Sequence, residues 1–425
     1  MSWLKSEDFI PLVSKIWNQN VNAIDPVDIL NIKLKRFKKF FKGWGSSKFG
    51  HEKKRKQEIR EELALIEKAE EEGTIDHEMF CRKTDLLVEM NEILVNEELF
   101  LLQQSNERWL LGGDRNTAYY KKIANGNKRK NTIHSLHVGD AVIEGTENLL
   151  EHATDFYKNI FGPPQGNMFH LDPGIWGVEE KLDELDNEIL NRPFTEEEVK
   201  RALFSMKSNR APGPDNIPAE FYQQCWEIVK EDIMRLFAAF HAGELDFCRL
   251  NYGIITLLPK INGANKIQQF RPICLLRCPY KLITKVLDNR VAPFADKLFS
   301  KHQNAFIKHR NIMDGVLSLH EILHHTYNKK KVGIVIKLDF EKAYDKVNWD
   351  FLLECLEMRG FGPTWCGSIK SVLVDGRVSV KLNNVMGPYF KSFKGVRQGI
   401  LCRPSFLTLL LKACVKWCCR RREII

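Results

Sequence analysis

A nearly all-apolar run, Val332-Gly333-Ile334-Val335-Ile336-Lys337-Leu338, leads straight into Asp339, and Tyr344 follows within Asp339-Phe340-Glu341-Lys342-Ala343-Tyr344-Asp345. Such a run reads as a strand buried on both faces. A carboxylate delivered at its end suits a hard divalent cation, because the strand fixes the ligand and carboxylate oxygens are what Mg²⁺ prefers. Taken alone, an Asp after a strand is more often a helix cap or turn former. Its meaning therefore depends on what accompanies it.

Two cations accompany it. The β-rich run Tyr252 to Leu258 is stopped by Pro259-Lys260, and Gln269-Phe270-Arg271-Pro272-Ile273 follows a polar turn. This predicts a two-stranded unit with Lys260 and Arg271 at its rim. Further cations gather near the start, where Lys33, Lys35, Arg36, Lys38, Lys39, Lys42, Lys48, Lys53, Lys54, Arg55 and Lys56 interleave with Phe37, Phe40, Phe41, Trp44 and Phe49. That pattern has two readings: a polyanion-binding segment whose rings stack on bases, or a solvated helix face with its own core side. After Arg108-Trp109-Leu110-Leu111-Gly112-Gly113-Asp114-Arg115-Asn116-Thr117 a second basic stretch holds Lys121, Lys122, Lys128, Arg129 and Lys130. Glycines beside cations again fit phosphate contact. Cys274 and Cys278 with His324 and His325 lack zinc-finger spacing and read as packed thiols and a polar helix face.

The elements that must carry these residues can be read from periodicity. Glu58 to Leu111 spaces Leu63, Ile66, Leu86, Leu87, Met90, Ile93, Leu94 and Leu101 at helical intervals, broken at Gly73 into a helical hairpin. Ile133 to Gly145 reads as a β-hairpin turning at Gly139-Asp140, and Thr146 to Phe161 as an amphipathic helix. Gly162-Pro163-Pro164-Gln165-Gly166 begins a linker. Thr195-Glu196-Glu197-Glu198 is a capping box opening a helix to about Met206. The stiff loop Asn209 to Pro218 follows, then a helix from Glu220 to Ala239. Trp349 to Met358 reads as helix, and Val378, Val380 and Leu382 as a strand entering a turn at Asn383-Asn384.

The whole chain has 425 residues, 44% of them hydrophobic, with 64 Lys+Arg against 55 Asp+Glu and a formal charge of +9. Wholesale disorder is excluded, and two or three domains are expected. The eleven cysteines form no disulfide framework. No apolar run is long enough for a membrane span and no secretory signal opens the chain, so an intracellular protein, nuclear or cytoplasmic, with no membrane partner is expected.

The order of motifs resembles the reverse transcriptases of LINE-type (non-long-terminal-repeat) retrotransposons of the kind abundant in plant genomes. The matching pieces are Arg210-Ala211-Pro212-Gly213-Pro214-Asp215; Leu258-Pro259-Lys260 with Phe270-Arg271-Pro272-Ile273; Gln303-Asn304-Ala305-Phe306-Ile307 with Arg310; Leu338 to Asp345; and Gly395-Val396-Arg397-Gln398-Gly399. The resemblance implies an α+β chain: a helical, basic connector over 1–165, a linker over 166–192, and a right-hand polymerase, fingers and partial palm, over 193–399. It implies that Asp339 is a catalytic carboxylate holding two Mg²⁺ ions that activate the primer 3′-hydroxyl and stabilise the leaving pyrophosphate. Lys260 and Arg271 would grip the incoming triphosphate, Phe340 and Tyr344 would lie against the nucleotide with Tyr344 crowding the sugar 2′-position, and Gln398 and Gly399 would lie against nucleotide and template. Its partners would be an RNA template, a DNA primer and deoxynucleoside triphosphates. Lys38, Lys39, Lys42, Lys53, Lys54, Arg55, Lys128, Arg129, Lys130 and Arg310 are the expected nucleic-acid contacts.

The chain departs from the family after Gly399. The expected Asp-Pro-Leu-Ser-Pro, apolar helix and aromatic-X-Asp-Asp hairpin are replaced by a Cys- and Arg-rich tail, 400–425. Ile400 through Pro404 can be written in codons as ATC CTC TGT CGC CCT; with a preceding G the same bases read one position earlier, GAT CCT CTG TCG CCC, encode Asp-Pro-Leu-Ser-Pro. A one-nucleotide slip at Gly399 is thus expected, leaving one catalytic Asp where two metals need at least two carboxylates. The chain also begins about where the endonuclease of such elements would end. The readings are a polymerase by descent that is inert, a non-catalytic nucleic-acid-binding remnant, or a polymerase completed in trans. Genomic DNA beyond the stop is expected to continue the shifted frame into aromatic-X-Asp-Asp codons, and sequencing it checks the slip.

Overall fold

The computed structural model describes residues 8–105, 117–164, 166, 170–208, 210–300, 303–304, 307, 310–332, 335, 342–397 and 410. Asp339, Phe340, Gln398 and Gly399 lie outside them, as do most of the strand expected over 332–338 and the tail. Val332 and Val335, the described members of that strand, are exposed and outside any strand. The chain divides into one unit of Met1–Thr132 with Gln224–Asp232 and another of Ile133–Gln223 with Ile233–Ile425. The expected linker, 166–192, falls wholly within the second.

In the first unit, α1 (Phe9–Trp17) buries Phe9, Val13, Ile16 and Trp17. The long α2 (Pro26–Glu71) starts where Asp25 caps it: Val27 N and Asp28 N donate to its Oδ1 at 2.8 and 3.0 Å, and Pro26 supplies a preset φ. Trp17 Nε1 (2.7 Å) and Lys33 Nζ (2.6 Å) both donate to Oδ2 of the buried Asp232. The hairpin expected around Gly73 is present, with α3 (His77–Ser105) returning along α2. Its core is Ile59, Ile66, Leu86 and Ile93, flanked by Leu63, Ile75, Met79 and Met90. Leu87, expected to join them, is 51% exposed, because one residue along a helix turns a side chain about 100°. Salt bridges frame this core: Arg55 forks onto Glu89 at 2.7 and 2.8 Å, Arg82 onto Glu62 at 2.6 and 3.0 Å, and Lys56 reaches Glu97 at 2.6 Å. The second basic stretch forms α4 (Thr117–Asn131), which packs on α3.

The second unit is an α+β arrangement. It opens with the expected hairpin, β1 (Ser135–Val138) and β2 (Ala141–Glu144), and the expected helix, α5 (Thr146–Ile160). Short α6 (Glu184–Leu190) precedes α7 (Glu196–Phe204), whose cap is Thr195: Glu198 N donates to its Oγ1 at 3.2 Å. Only half the capping box forms, since the Glu198 carboxylate receives both arms of Arg290 at 2.7 and 2.8 Å. The helix expected over 220–239 is two helices, α8 (Ala219–Gln224) and α9 (Trp226–His241), interrupted at Cys225.

The main sheet has the order β4 (Phe270–Leu276), β3 (Tyr252–Pro259), β5 (Arg377–Leu382), β6 (Val385–Met386), with β7 (Phe390–Lys391) also on β5. β3 and β4 are antiparallel with Leu258 opposite Arg271, while β3 and β5 are parallel with Ile255 opposite Val380. A parallel pair needs a long crossover. Here it includes α10 (Cys278–Val291), α11 (Ala295–Leu298), α12 (Ile312–Asn328), α13 (Trp349–Met358) and α14 (Pro363–Leu373). The turn from β5 to β6 uses Asn383 and Asn384 at φ +48° and +70°, the two left-handed residues a tight hairpin wants. Among the described residues no helix is long and apolar enough to cross a membrane.

The hairpin of the first unit carries a pH dependence. Hydrogen bonds from Arg82 to Glu62 and from Arg55 to Glu89 hold both carboxyls below their ordinary range. Groups depressed on folding contribute stability that is present above their unfolded pKa, roughly 4.3, and lost as pH falls through the folded values. Helical signal followed by circular dichroism should therefore drop on acidification below about pH 4, and Arg82→Gln with Arg55→Gln should weaken that dependence.

Candidate active site

Lys260 and Arg271 sit at one end of the β3–β4 hairpin, as expected, and both are exposed. Lys260 N donates to Gln269 O at 2.8 Å, which continues the ladder one step past Leu258–Arg271. Because alternate residues share a face and opposed residues share one too, Lys260 and Arg271 project on the same side. The Lys260 ammonium donates to Gln268 O at 3.0 Å. Two cations on one rim can meet adjacent phosphate oxygens, Arg as a fork and Lys as a point charge.

The segment after Asp339 is brought against the last motif. Residues 342–346 form a turn in which Asp345 N and Lys346 N donate to Lys342 O at 2.9 and 3.1 Å, with Lys342 at φ +51°. Val396 N donates to Tyr344 O and Gly395 N to Val347 O, both at 2.7 Å, while Trp349 Nε1 donates to Gly395 O at 2.9 Å. Gly395 has φ +85°, and a Cβ there would collide with Asp345 O and lie 3.1 Å from Phe161 Cε1. Glycine is thus required twice, by conformation and by space. Helix α5 buttresses the same place: the Lys342 ammonium lies 4.5 Å from the Phe156 ring centroid, and Phe393 N donates to Phe161 O at 2.8 Å. The buried Asp345 and, more strongly, burial itself push the Tyr157 hydroxyl far above its ordinary range.

Arg397, from the same motif, points inward. It is 2% exposed, its guanidinium donates to the Asn251 side-chain oxygen and to Asn251 O, and it lies 5.7 Å from the Tyr280 ring. Asn251 also donates to Val372 O at 3.1 Å and receives Arg377 N at 3.0 Å, tying the starts of β3 and β5 to the loop. Nothing in the sequence singled out Asn251, since its value is entirely in partners over a hundred residues away. The Arg210–Asp215 motif is likewise structural. Gly213 packs so closely that a Cβ would lie 2.5 Å from Leu276 O, and Asp215 accepts from Arg277 at 3.3 Å.

Tyr344 is half-buried, its carbonyl accepting from Val396 N. Arg310, expected on nucleic acid, donates to Ser300 O at 2.5 Å, Gln303 O at 2.8 Å and Asp296 Oδ1 at 2.6 Å, so its fork closes a local loop. Among the described residues no three His, Cys, Asp or Glu side chains are grouped to hold a metal ion. The seven described cysteines are unbridged, and burial raises Cys278 and Cys225, as expected of packed thiols.

Residues 258–422 match the family described as reverse transcriptase (RNA-dependent DNA polymerase). The chain is 28% identical over 299 residues, 70% of its length, to the transposon TX1 uncharacterized 149 kDa protein of Xenopus laevis. It is 23% identical over 235 residues (55% of the chain) to the retrovirus-related Pol polyprotein from type-1 retrotransposable element R2 of Nasonia vitripennis. A probable RNA-directed DNA polymerase from transposon BS of Drosophila melanogaster is 24% identical over 241 residues, 53% of the chain. The chain carries a LINE-type reverse transcriptase domain. It spans about a quarter of the length of these curated relatives, the covered shares being 23%, 22% and 26%.

The reverse transcriptase match begins at Leu258, so the β3 end, Lys260, Arg271, the Lys342–Val347 turn and the Gly395 loop all fall inside it, while α5, which supports the turn, lies ahead of it. The match runs past Gly399 to residue 422. Reverse transcriptases as a family use divalent metal ions. Gly395→Ala is expected to cost about 1–3 kcal/mol from backbone strain alone, with the collision at Asp345 adding to it. Urea denaturation should show the loss, and proteolysis should open the 342–347 turn.

Proposed function

We propose that the second unit descends from an RNA-directed DNA polymerase whose chemistry is two-metal nucleotidyl transfer, and that the polypeptide Met1–Ile425 as it stands does not polymerise. The observation that carries this reading is the junction of the Lys342–Val347 turn with the Gly395–Arg397 loop inside the reverse transcriptase match. That two motifs far apart in the chain meet here supports a shared nucleotide site. In this reading β3–β4 belongs to the fingers, and Lys260 and Arg271 bind the triphosphate of a deoxynucleotide. Tyr344 crowds the sugar, and Gln398 and Gly399 lie against nucleotide and template.

Asp339 would hold Mg²⁺, which when bound supplies activation of the primer hydroxyl and charge stabilisation at the leaving group. Within Met1–Ile425 no aromatic-X-Asp-Asp run occurs, and between Asp375 and Ile425 the only acidic residue is Glu423. Asp345 is buried in the turn against α5 and is poorly placed to serve as one. A single carboxylate cannot neutralise and position two divalent ions.

A second reading, a nucleic-acid-binding remnant, is favoured by the exposed lysines of α2 and the exposed Lys128, Arg129 and Lys130 at the end of α4. Primer extension on an RNA template with Mg²⁺ and deoxynucleotides separates the two. No extension is expected from this chain and extension is expected from a frame-restored version; extension by the unmodified chain would sink the inert reading.

A further inference from the structure

We infer that the first unit grips the phosphate backbone of a nucleic-acid duplex along one lysine face of α2, by charge alone and without stacking on bases. The inference deepens the nucleic-acid-binding reading above and rests on it.

The interleaved rings of the basic segment are not available to bases. Phe37 and Phe41 are 4% and 9% exposed. Phe41 sits at the centre of a ring cluster, with centroids 5.2 Å from Phe9, 4.5 Å from Phe37 and 5.3 Å from Trp44. In α4, Tyr120 is fully buried. Of the described rings in the basic part of α2, Phe40 alone is as much as 40% exposed, and its ring lies 5.3 Å from that of Phe41. A single-strand binder of the stacking kind needs successive rings laid open, and here they form a core.

The lysines have the opposite disposition. At about 100° per residue, Lys35, Lys38, Lys39, Lys42 and Lys53 fall within roughly 100° of one another, centred about 120° round the helix from Leu30, Leu34, Phe37 and Phe41. All five are exposed, and among the described residues none has an ion pair. Their neighbours differ: Lys33 is held by Asp232, Lys54 by Glu58, Arg55 by Glu89 and Lys56 by Glu97. The cations with structural partners are thus separate from these five, four of which cluster over Lys35–Lys42 while Lys53 extends the span to about 27 Å along the helix. α4 repeats the arrangement, with exposed Lys121, Lys122, Lys128 and Arg129 on one face beside a shallow cleft of about 670 Å³.

A surface that senses charge and cannot read base faces favours the partner with the denser charge. Duplex DNA presents one phosphate per about 1.7 Å of axis, close to twice the density of one strand. The shared ligand chemistry is the double phosphate backbone, of RNA or of DNA.

The test is equilibrium binding of the full chain to labelled RNA duplex, DNA duplex and the corresponding single strands, by fluorescence anisotropy over a salt series. Duplexes should bind more tightly than strands. The slope of log affinity against log salt should shrink by about 0.9 for each lysine removed through Lys39→Gln, then Lys38→Gln with Lys39→Gln, then the four changes Lys35→Gln, Lys38→Gln, Lys39→Gln and Lys42→Gln. Phe40→Ala should leave binding unchanged. Strands bound as tightly as duplexes, a loss on Phe40→Ala, or an unchanged slope in a four-lysine variant of normal helicity would each overturn the inference. Should that variant lose helicity, the single exposed-site changes still read the slope. Because no primer extension enters the measurement, an inert polymerase leaves the result intact, and a flat salt slope says nothing against the polymerase descent.

Discussion

Two main-chain hydrogen bonds hold the candidate site together. Gly395 and Val396 donate to the carbonyls of Val347 and Tyr344, and so fasten the turn that follows Asp339 to the loop that leads to Gln398. The arrangement tolerates no side chain at 395, since the backbone there is left-handed and Asp345 O occupies the space of a Cβ. The surroundings serve this contact. Trp349 closes over Gly395 O, α5 offers Phe156 to Lys342 and Phe161 O to Phe393 N, and Arg397 ties the loop through Asn251 to the parallel strands β3 and β5. Helix α5 is therefore part of what positions the polymerase motifs although it precedes the family match.

Cations divide by environment across the molecule. Buried and half-buried arginines serve the framework: Arg397 on Asn251, Arg277 on Asp215, Arg290 on Glu198 and on the carbonyls of Leu190, Arg192 and Pro193, and Arg359 over Trp176 at 4.4 Å. Burial lowers Arg359 to about 10, as desolvation disfavours a charge. A planar guanidinium can satisfy several carbonyls at once, which an ammonium does less well. Lys35, Lys38, Lys39, Lys42 and Lys53 of α2, the lysines of α4 and the rim cations Lys260 and Arg271 remain exposed, where phosphate can reach them. Net charge alone, +9, did not distinguish these populations.

Much of the local structure was legible in advance. The hairpin at Gly139, the helix over 146–160, the cap at Thr195, the strand Tyr252–Pro259, the helix Trp349–Met358 and the turn at Asn383-Asn384 follow from nearest-neighbour rules: periodicity, capping hydroxyls and left-handed turn residues. Element type is set by residues a few positions apart, so a one-dimensional reading reaches it. It misjudged places where a distant partner decided. Glu198 left its capping box for Arg290, 92 residues along the chain.

By itself the sequence supplied the order of motifs that carries the family resemblance, with Asp339 among them. Tertiary structure decided which motif residues meet and which cations face solvent: Gly395 against Asp345, Arg397 on Asn251, the lysine face of α2 beside a ring core. The reason is physical. Motif order is written in covalent connectivity, whereas burial and pairing depend on segments tens to more than a hundred residues apart arriving at the same few ångströms, and no local spacing encodes that distance.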